Sequence, residues 1–547
     1  VRGIRAKGAI GIGLAVVLVL GAFGGWLLFG PKGSDKDPIV VGSTSPPTSV
    51  DPGAATDAAA WYLMSNLYQS LLTFVPGKEE PEPDAAESCG FTDTELTVYR
   101  CTLREGLTFS NGREITPDDV KFSYDRILAM GERASREADD PNIPEDEKFN
   151  YSGPITLLSS LEAVRVDGQD IVFELSHTDA TFPFIVAGTT GAIVDREKYE
   201  ELEVRTDNKV DGSGPYLLKS FTPDVSAELV PTPNYDGPYE VSDFPITVRY
   251  FVQDEDGTSA EDLLAESWDR GEIDVADGKL PPEVVAEINS ASPEYRVYES
   301  TGGSIRVMTL ATDIEGSVMS DETVRQVAAA VLDRQAIARQ VQRNTVEPLY
   351  SLIPVGFTGH GTPYHDLYGD APDPAELTQK LESAGYELPI PFTLAYSRGA
   401  ANHEEAELIQ QQLEADGLFD VEIEYYDWQE FIPMKNAGEF EAYLIGWRPD
   451  YPDPATFTDS LLGPGDSMRT GYVNSEIYGL IEETQAESDR GRTDDSFREI
   501  HELAADAATI VPIWQEKRLV LAGPDITGLQ HLQGSSGVWR LWELSRL

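Results

Sequence analysis

Between residues 390 and 457 the chain alternates between strand-like and helix-like stretches. FTLAY at 392–396 reads as a strand, about 403–416 as a helix, VEIEYY at 421–426 as a strand, and a further short apolar strand opens FEAYLIGWRPDYPDPATF at 440–457. Such alternation covers a sheet with helices and commits the chain to an α/β architecture. The last strand runs straight into a loop in which Pro449, Pro452 and Pro454 fix φ and bias the residues before them towards extended geometry. Asp450 and Asp453 therefore sit on backbone with little freedom to lose when a ligand binds. Trp447, Tyr451 and Phe457 supply flat faces for stacking or cation–π contact, so the loop suits an organic ammonium group. In a chain with 95 acidic residues a Pro/Asp loop also serves as a solvated connector, and this segment alone leaves both readings open.

Upstream, residues 39–42 start a strand that leads into STSPPTSVDPG, and Trp61, Met64, Ser65, Tyr68, Leu71 and Leu72 predict a helix over about 57–72. In YRCTLREGLTFSNGREITPDDVKFSYDRIL, Asn111-Gly112 marks a turn, Thr116 is the expected N-cap, Pro117 fits the first helical position and Asp119 sits three residues after the cap. Val120, Tyr124, Ile127 and Leu128 then form one buried stripe. The acidic, proline-rich segments 76–87 and 132–148 are expected as surface loops. GSGPYLL at 212–218 is a turn entering a strand and not a phosphate cradle, since no Lys-Ser/Thr pair follows. Strands are expected at 246–253 and 304–311, one helix from 321 to about 341, and another over 374–384, capped by Asp373 and stopped at Gly385. No internal repeat is present.

At the N-terminus, Arg2, Arg5 and Lys7 precede residues 8–31, which carry no charge. As a helix, the roughly 21 residues from 9 to 29 span about 31 Å, enough to cross a bilayer core. The basic start and acidic remainder put the N-terminus inside and the bulk of the chain outside, on a retained single-pass anchor. A cleaved signal peptide is the alternative, although no A-x-A-like site follows the apolar run. Lipidation of a cysteine just after that run is excluded, because the only cysteines are Cys89 and Cys101. These flank GFTDTELTVYR, which reads as two neighbouring strands and a turn, and in an oxidising exterior they are expected to form a disulfide worth about 3 kcal/mol; two unbonded buried thiols are the alternative. A net charge of −54 repels nucleic acid and anionic lipid headgroups.

Hydrolytic and metal signatures fail. There is no G-x-S-x-G elbow. His501 opens HELAA and His403 opens HEEAE, but the second zinc-ligand positions are Ala505 and Glu407. His360, His365 and Asp366 lie in a Gly/Pro-rich loop at a spacing that is weak for a metal site. No catalytic residue, metal ligand or cofactor is assigned. Carboxylate pairs of the glycosidase kind stay open in so acidic a chain.

Taken in order, TSVDPG with NLYQSLL, the YRCTLREGLTFSNGREITPDDVKFSYDRIL segment, GSGPYLLKSF, RGEIDVADG, VRQVAAAVLDRQAIARQV, QKLESAGY, GWRPDYPDPATF and IVPIW resemble the family 5 extracellular solute-binding proteins of ABC transporters. The resemblance covers residues from about 39 to 514. It implies an α/β, two-lobed periplasmic-binding-protein-like fold (type II, cluster C) with an extra subdomain on the N-terminal lobe. Residues 1–8 become a cytoplasmic basic region, 9–30 the anchor and 31–38 a linker. Lobe I covers 39–305, with the subdomain at about 75–205; lobe II covers 306–515, and 516–547 return to lobe I. Crossings are expected near 300–305 and 514–520, with ligand in the cleft between the lobes.

In peptide-binding members an aspartate just after a Gly-Trp pair receives the ligand's amino group. The matching position is Asp450, with Trp447 and Tyr451 beside it, and His403 falls near a contact to the ligand's carboxylate. The chain departs from some oligopeptide binders at Leu444, where they carry an arginine three residues before the tryptophan, and it lacks the usual lipidated cysteine. The expectation is a monomeric, membrane-tethered receptor with no enzymatic activity. It passes a peptide or similar amine-bearing solute to a separate permease and ATPase; a sugar or metal chelate on the same scaffold is the alternative, and an anchored hydrolase a more distant one.

Overall fold

The computed structural model describes residues 36–547 apart from 79, 139, 145–146, 152, 255, 370–371, 400, 531 and 533–536. The expected anchor at 9–30 lies outside the described residues. Among those described, no helix is long and apolar enough to cross a membrane.

One mixed sheet of 11 strands runs through the molecule. At one end, Ile390–Ser397 lies parallel to both Phe419–Tyr426 and Ala442–Trp447. At the other, Ile39–Ser43 lies parallel to Ile246–Tyr250 and Val275–Ala276. Two long antiparallel strands, Arg296–Leu310 and Ile510–Ala522, join the ends. Their outer halves belong to different lobes: Arg296 and Val297 face Ala522 and Leu521, which also pair with Val275 and Ala276, whereas Ile305 to Leu310 pair with Ala442–Trp447. Between Thr301 and Ile305 the register slips, and residues 302–304 drop out of the ladder where the chain passes from one lobe to the other.

Period-two alternation explains why the second lobe is buried on both sheet faces. Met308, Leu310, Leu394, Ala442 and Leu444 enter one core, while Ile305, Val307, Ala395, Tyr443 and Ile445 enter the other. The first lobe has a similar division, with Ile39 and Val41 in its main core and Val40 against the core around Leu264 and Ile273. A separate four-stranded antiparallel sheet, built from Ala86–Phe91, Val98–Leu103, Asp170–Leu175 and Leu161–Asp167, packs under the helix Pro117–Ala138 and shares the first lobe's main core. Cys89 and Cys101 face each other across its first two strands, with their Sγ atoms bonded at 2.03 Å.

Four local expectations need correction. The surface loop expected over 132–148 begins as helix, since Pro117–Ala138 runs through its first seven residues. The helix expected over 57–72 is Ala58–Met64 only. Asn66 turns its amide onto the carbonyls of Tyr62 (3.0 Å) and Trp539 (2.7 Å), and the backbone of Asn66 and Leu67 accepts from Tyr216 N (2.8 Å) and Gly214 N (3.0 Å). A Cβ on Gly214 would lie 2.5 Å from the Leu67 carbonyl carbon, so the glycine of GSGPYLL permits this close approach. The helix from 321 breaks into Glu322–Ala330 and Arg334–Gln340, because Asp333 caps the second piece by accepting from Ala336 N. Segment 76–87 is no plain surface loop: Glu82–Pro83 pairs with Leu72–Thr73, and Asp84, Ala85 and Ala86 are buried.

Candidate ligand-binding site

Where the lobes meet, sections of chain distant in sequence enclose a cavity of about 760 Å³, counting the part open to solvent. The first lobe supplies most of the wall, including the apolar faces of Trp61, Leu72, Phe74, Phe184 and Tyr239. From the second lobe come Asp450 and Tyr451. Among the described residues, Asp84 and Asp450 are the carboxylates lining the cavity, and no Lys, Arg or His lines it.

Asp450 owes its place to the strand Ala442–Trp447 and to Thr456. The Asp450 N–H donates to Thr456 Oγ1 (3.0 Å), the same hydroxyl lies 3.4 Å from Asp450 Oδ2, and the Trp447 indole N–H donates to the Thr456 carbonyl (3.2 Å). With three prolines in the turn, the loop has few alternatives to this shape. Among the described residues no basic side chain forms an ion pair with Asp450. Burial pushes its carboxyl up to about 6, against the opposing pull of the Thr456 hydroxyl.

Neighbouring residues divide the remaining roles. Asp453 is a support: buried, it takes a bidentate grip from Arg490 (2.7 and 2.8 Å) and accepts from Ala455 N (2.9 Å) at the start of the helix Ala455–Leu462. Tyr451 lines the cavity with its ring 6.1 Å from that of Phe184 on the opposite lobe, and burial raises its phenol far above the usual range. Trp447 stands behind the loop as an anchor and is not part of the cavity wall. Phe457 is fully buried, 5.3 Å from the Phe357 ring, and so offers no free face.

His403 lies away from the cavity, on the helix Asn402–Glu414. Its side chain is 61% exposed, with Nδ1 2.5 Å from Tyr396 Oη and Nε2 3.3 Å from Glu407. His501 is buried with Nδ1 2.8 Å from Ser351 Oγ, and burial followed by the nearby His360 pushes its imidazole down to about 3. Its place is the core of lobe II.

Sequence reasoning missed Asp84. It sits beside the Leu72–Thr73 strand, accepts from Gln69 Nε2 (2.8 Å), and burial pushes its carboxyl up to about 7. The available signal was Ala85-Ala86 directly after Asp84 and the Pro81-Glu82-Pro83 run, an apolar step unsuited to a solvated loop.

The lobes also touch beside the cavity. Arg448 Nη1 donates to Tyr62 Oη (3.3 Å), and Ala180 N donates to the Gln485 carbonyl (2.9 Å).

The sequence profile described as bacterial extracellular solute-binding proteins, family 5 Middle, matches residues 80–469, well over half of the chain. The chain belongs to that family. Among curated relatives of this family 5 protein, the dipeptide-binding protein DppE of Bacillus subtilis is 23% identical over 510 residues, covering 91% of this chain and 90% of the relative. Among solved structures, HbpA2 from Haemophilus parasuis has a TM-score of 0.75 at 20% identity, covering 93% of this chain and 100% of that one. DppA from Helicobacter pylori, in complex with the peptide STSA, has a TM-score of 0.73 at 20% identity over 93% and 98%. These likenesses establish the two-lobed α/β fold. Family membership makes the protein an extracellular solute-binding protein.

Proposed function

We propose that this solute-binding protein captures short peptides in the interlobe cavity for an ABC importer, with Asp450 receiving the ligand's amino group and Tyr451 packing beside it. The observation that carries the reading is the Asp450 carboxylate, which among the described residues has no ion-pair partner, in an aromatic-walled cavity between two lobes. Relatives whose names specify dipeptides or oligopeptides support it. An arriving ammonium supplies the missing counter-charge in a site shielded from water, where such a charge-assisted bond is strong. The closed, loaded form is what a separate permease with its ATPase must distinguish from the open one, so ligand has to bind the closed form better. In this reading the protein is a monomer that hydrolyses nothing, tethered to the outer face of the cell membrane by residues 9–30.

Isothermal titration with Ala-Phe and its N-acetyl derivative tests the amino-group assignment. Acetylation, or Asp450→Asn, is expected to weaken binding by about thirtyfold or more, since removing one partner of a buried charged pair costs about 2–5 kcal/mol. Equal affinity for the acetylated peptide would overturn it.

A further inference from the structure

The cavity holds a second carboxylate besides Asp450. Asp84 is 6% exposed and faces the same cavity as Asp450. Gln69 donates to one of its oxygens, the Ser70 backbone also bonds it and Arg104 attracts it from nearby, but among the described residues no basic side chain forms an ion pair with it. The nearby Arg104 gives its guanidinium to Asp236 instead, with Nη1 3.1 Å from Oδ1 and Nη2 2.8 Å from the carbonyl. A carboxyl group kept this dry is costly in its charged form unless a partner arrives. The wall near it is shaped for a stem with a polar end: Leu72, Phe74 and Phe184 are apolar, and the Thr73 and Tyr239 hydroxyls bond to each other beside the aspartate.

Resting on the peptide reading above, we infer that the cavity selects ligands with two cationic groups, a terminal ammonium at Asp450 and a second cation at Asp84. In peptide terms this means a short peptide with a lysine-like basic side chain. The absence of any Lys, Arg or His among the described lining residues agrees with a ligand that brings positive charge and finds no attractive site for additional negative charge in the wall. Two separated carboxylates set a spacing between charges that a monocationic peptide cannot meet, so the second anchor discriminates by side chain while the first accepts any free amino terminus.

Calorimetric titration at pH 8 of Lys-Ala and Ala-Lys against their norleucine counterparts, which keep the stem and lose the charge, tests the inference. In at least one order the lysine peptide is expected to bind about tenfold or more tightly, the scale of one charged hydrogen bond. Asp84→Asn should abolish that preference while leaving norleucine-peptide affinity within about twofold, which also shows that the variant is folded. Equal binding of lysine and norleucine peptides by the wild type, or a preference that survives Asp84→Asn, would overturn the second anchor while leaving the peptide reading intact. If none of the four peptides binds, the peptide reading fails, and linear α,ω-diamines become the probe. Diamine binding by the wild type that Asp84→Asn abolishes would uphold the two-cation cavity, and no diamine binding would overturn it.

Discussion

Half-burying an aspartate that, among the described residues, has no counter-ion loads a protein with free energy that a cation can release, and Asp450 shows both sides of that balance. Its carboxyl is raised to about 6 by burial, above the roughly 3.9 of an unfolded aspartate. The folded, empty protein therefore holds the proton more firmly than the unfolded chain, and this residue's contribution to stability falls as pH rises from about 4 to about 6. Ligand binding has the opposite sign: the ammonium needs the ionised form, so affinity should rise as pH increases through about 6 and then level off. Asp450→Asn should remove that step from the pH profile of binding. It should leave the thermal midpoint of the ligand-free protein at pH 7 no lower than wild type, as scanning calorimetry would register; a clear drop would mean that the carboxylate supports the fold. Asp453, three residues away, shows why a motif alone cannot assign roles. The two aspartates share one proline-rich loop, but Arg490 neutralises Asp453, which ties it to the fold.

Among elements, the helix Pro117–Ala138 was legible because its instructions are local. Thr116 Oγ1 and N both bond Asp119 Oδ2 (2.6 and 2.9 Å), Pro117 starts the first turn, and Val120, Tyr124 and Ile127 recur on one buried face. Its attachment to the rest of the molecule was not legible. Arg126 projects from its buried side and holds Asp51 in a bidentate pair (2.8 and 2.6 Å), while also donating to the carbonyls of Glu200 and Glu203. Both side chains are 1% exposed, so removing the cation strands a buried carboxylate. Arg126→Met is expected to destabilise the protein by about 3–5 kcal/mol in denaturant unfolding. A loss under about 1 kcal/mol would mean that Asp51 finds another partner. The short Ala58–Met64 helix and the buried Asp84 were misjudged for a common reason: Trp539, Gly214 and the Leu72–Thr73 strand decide them from distant parts of the chain.

For the molecule as a whole, the proposed function depends on two lobes that share one sheet. Their crossing strands pair in register except at residues 302–304, which include Gly302 and Gly303, and at a second shift between Arg306 and Val307. Closure is held outside the cavity by contacts such as that from Arg448 to Tyr62, whose ring lies 5.9 Å from the guanidinium. Arg448 is exposed, so the contact is worth about 1 kcal/mol. Arg448→Ala should thus weaken peptide binding about fivefold, mainly through faster release in stopped-flow measurements, with ligand-free stability unchanged. An unaltered release rate would show that this contact does not hold the lobes together.

Local order along the chain was sufficient for the α/β class, for the strands that alternate between two cores and for the stiff loop that presents Asp450, because dihedral restriction, capping and period-two burial act between near neighbours. Long-range packing alone settled which carboxylates stay unpaired. Asp450 and Asp84 are 366 positions apart, and their sharing of one cavity depends on desolvation and charge compensation among groups that meet only when the lobes come together.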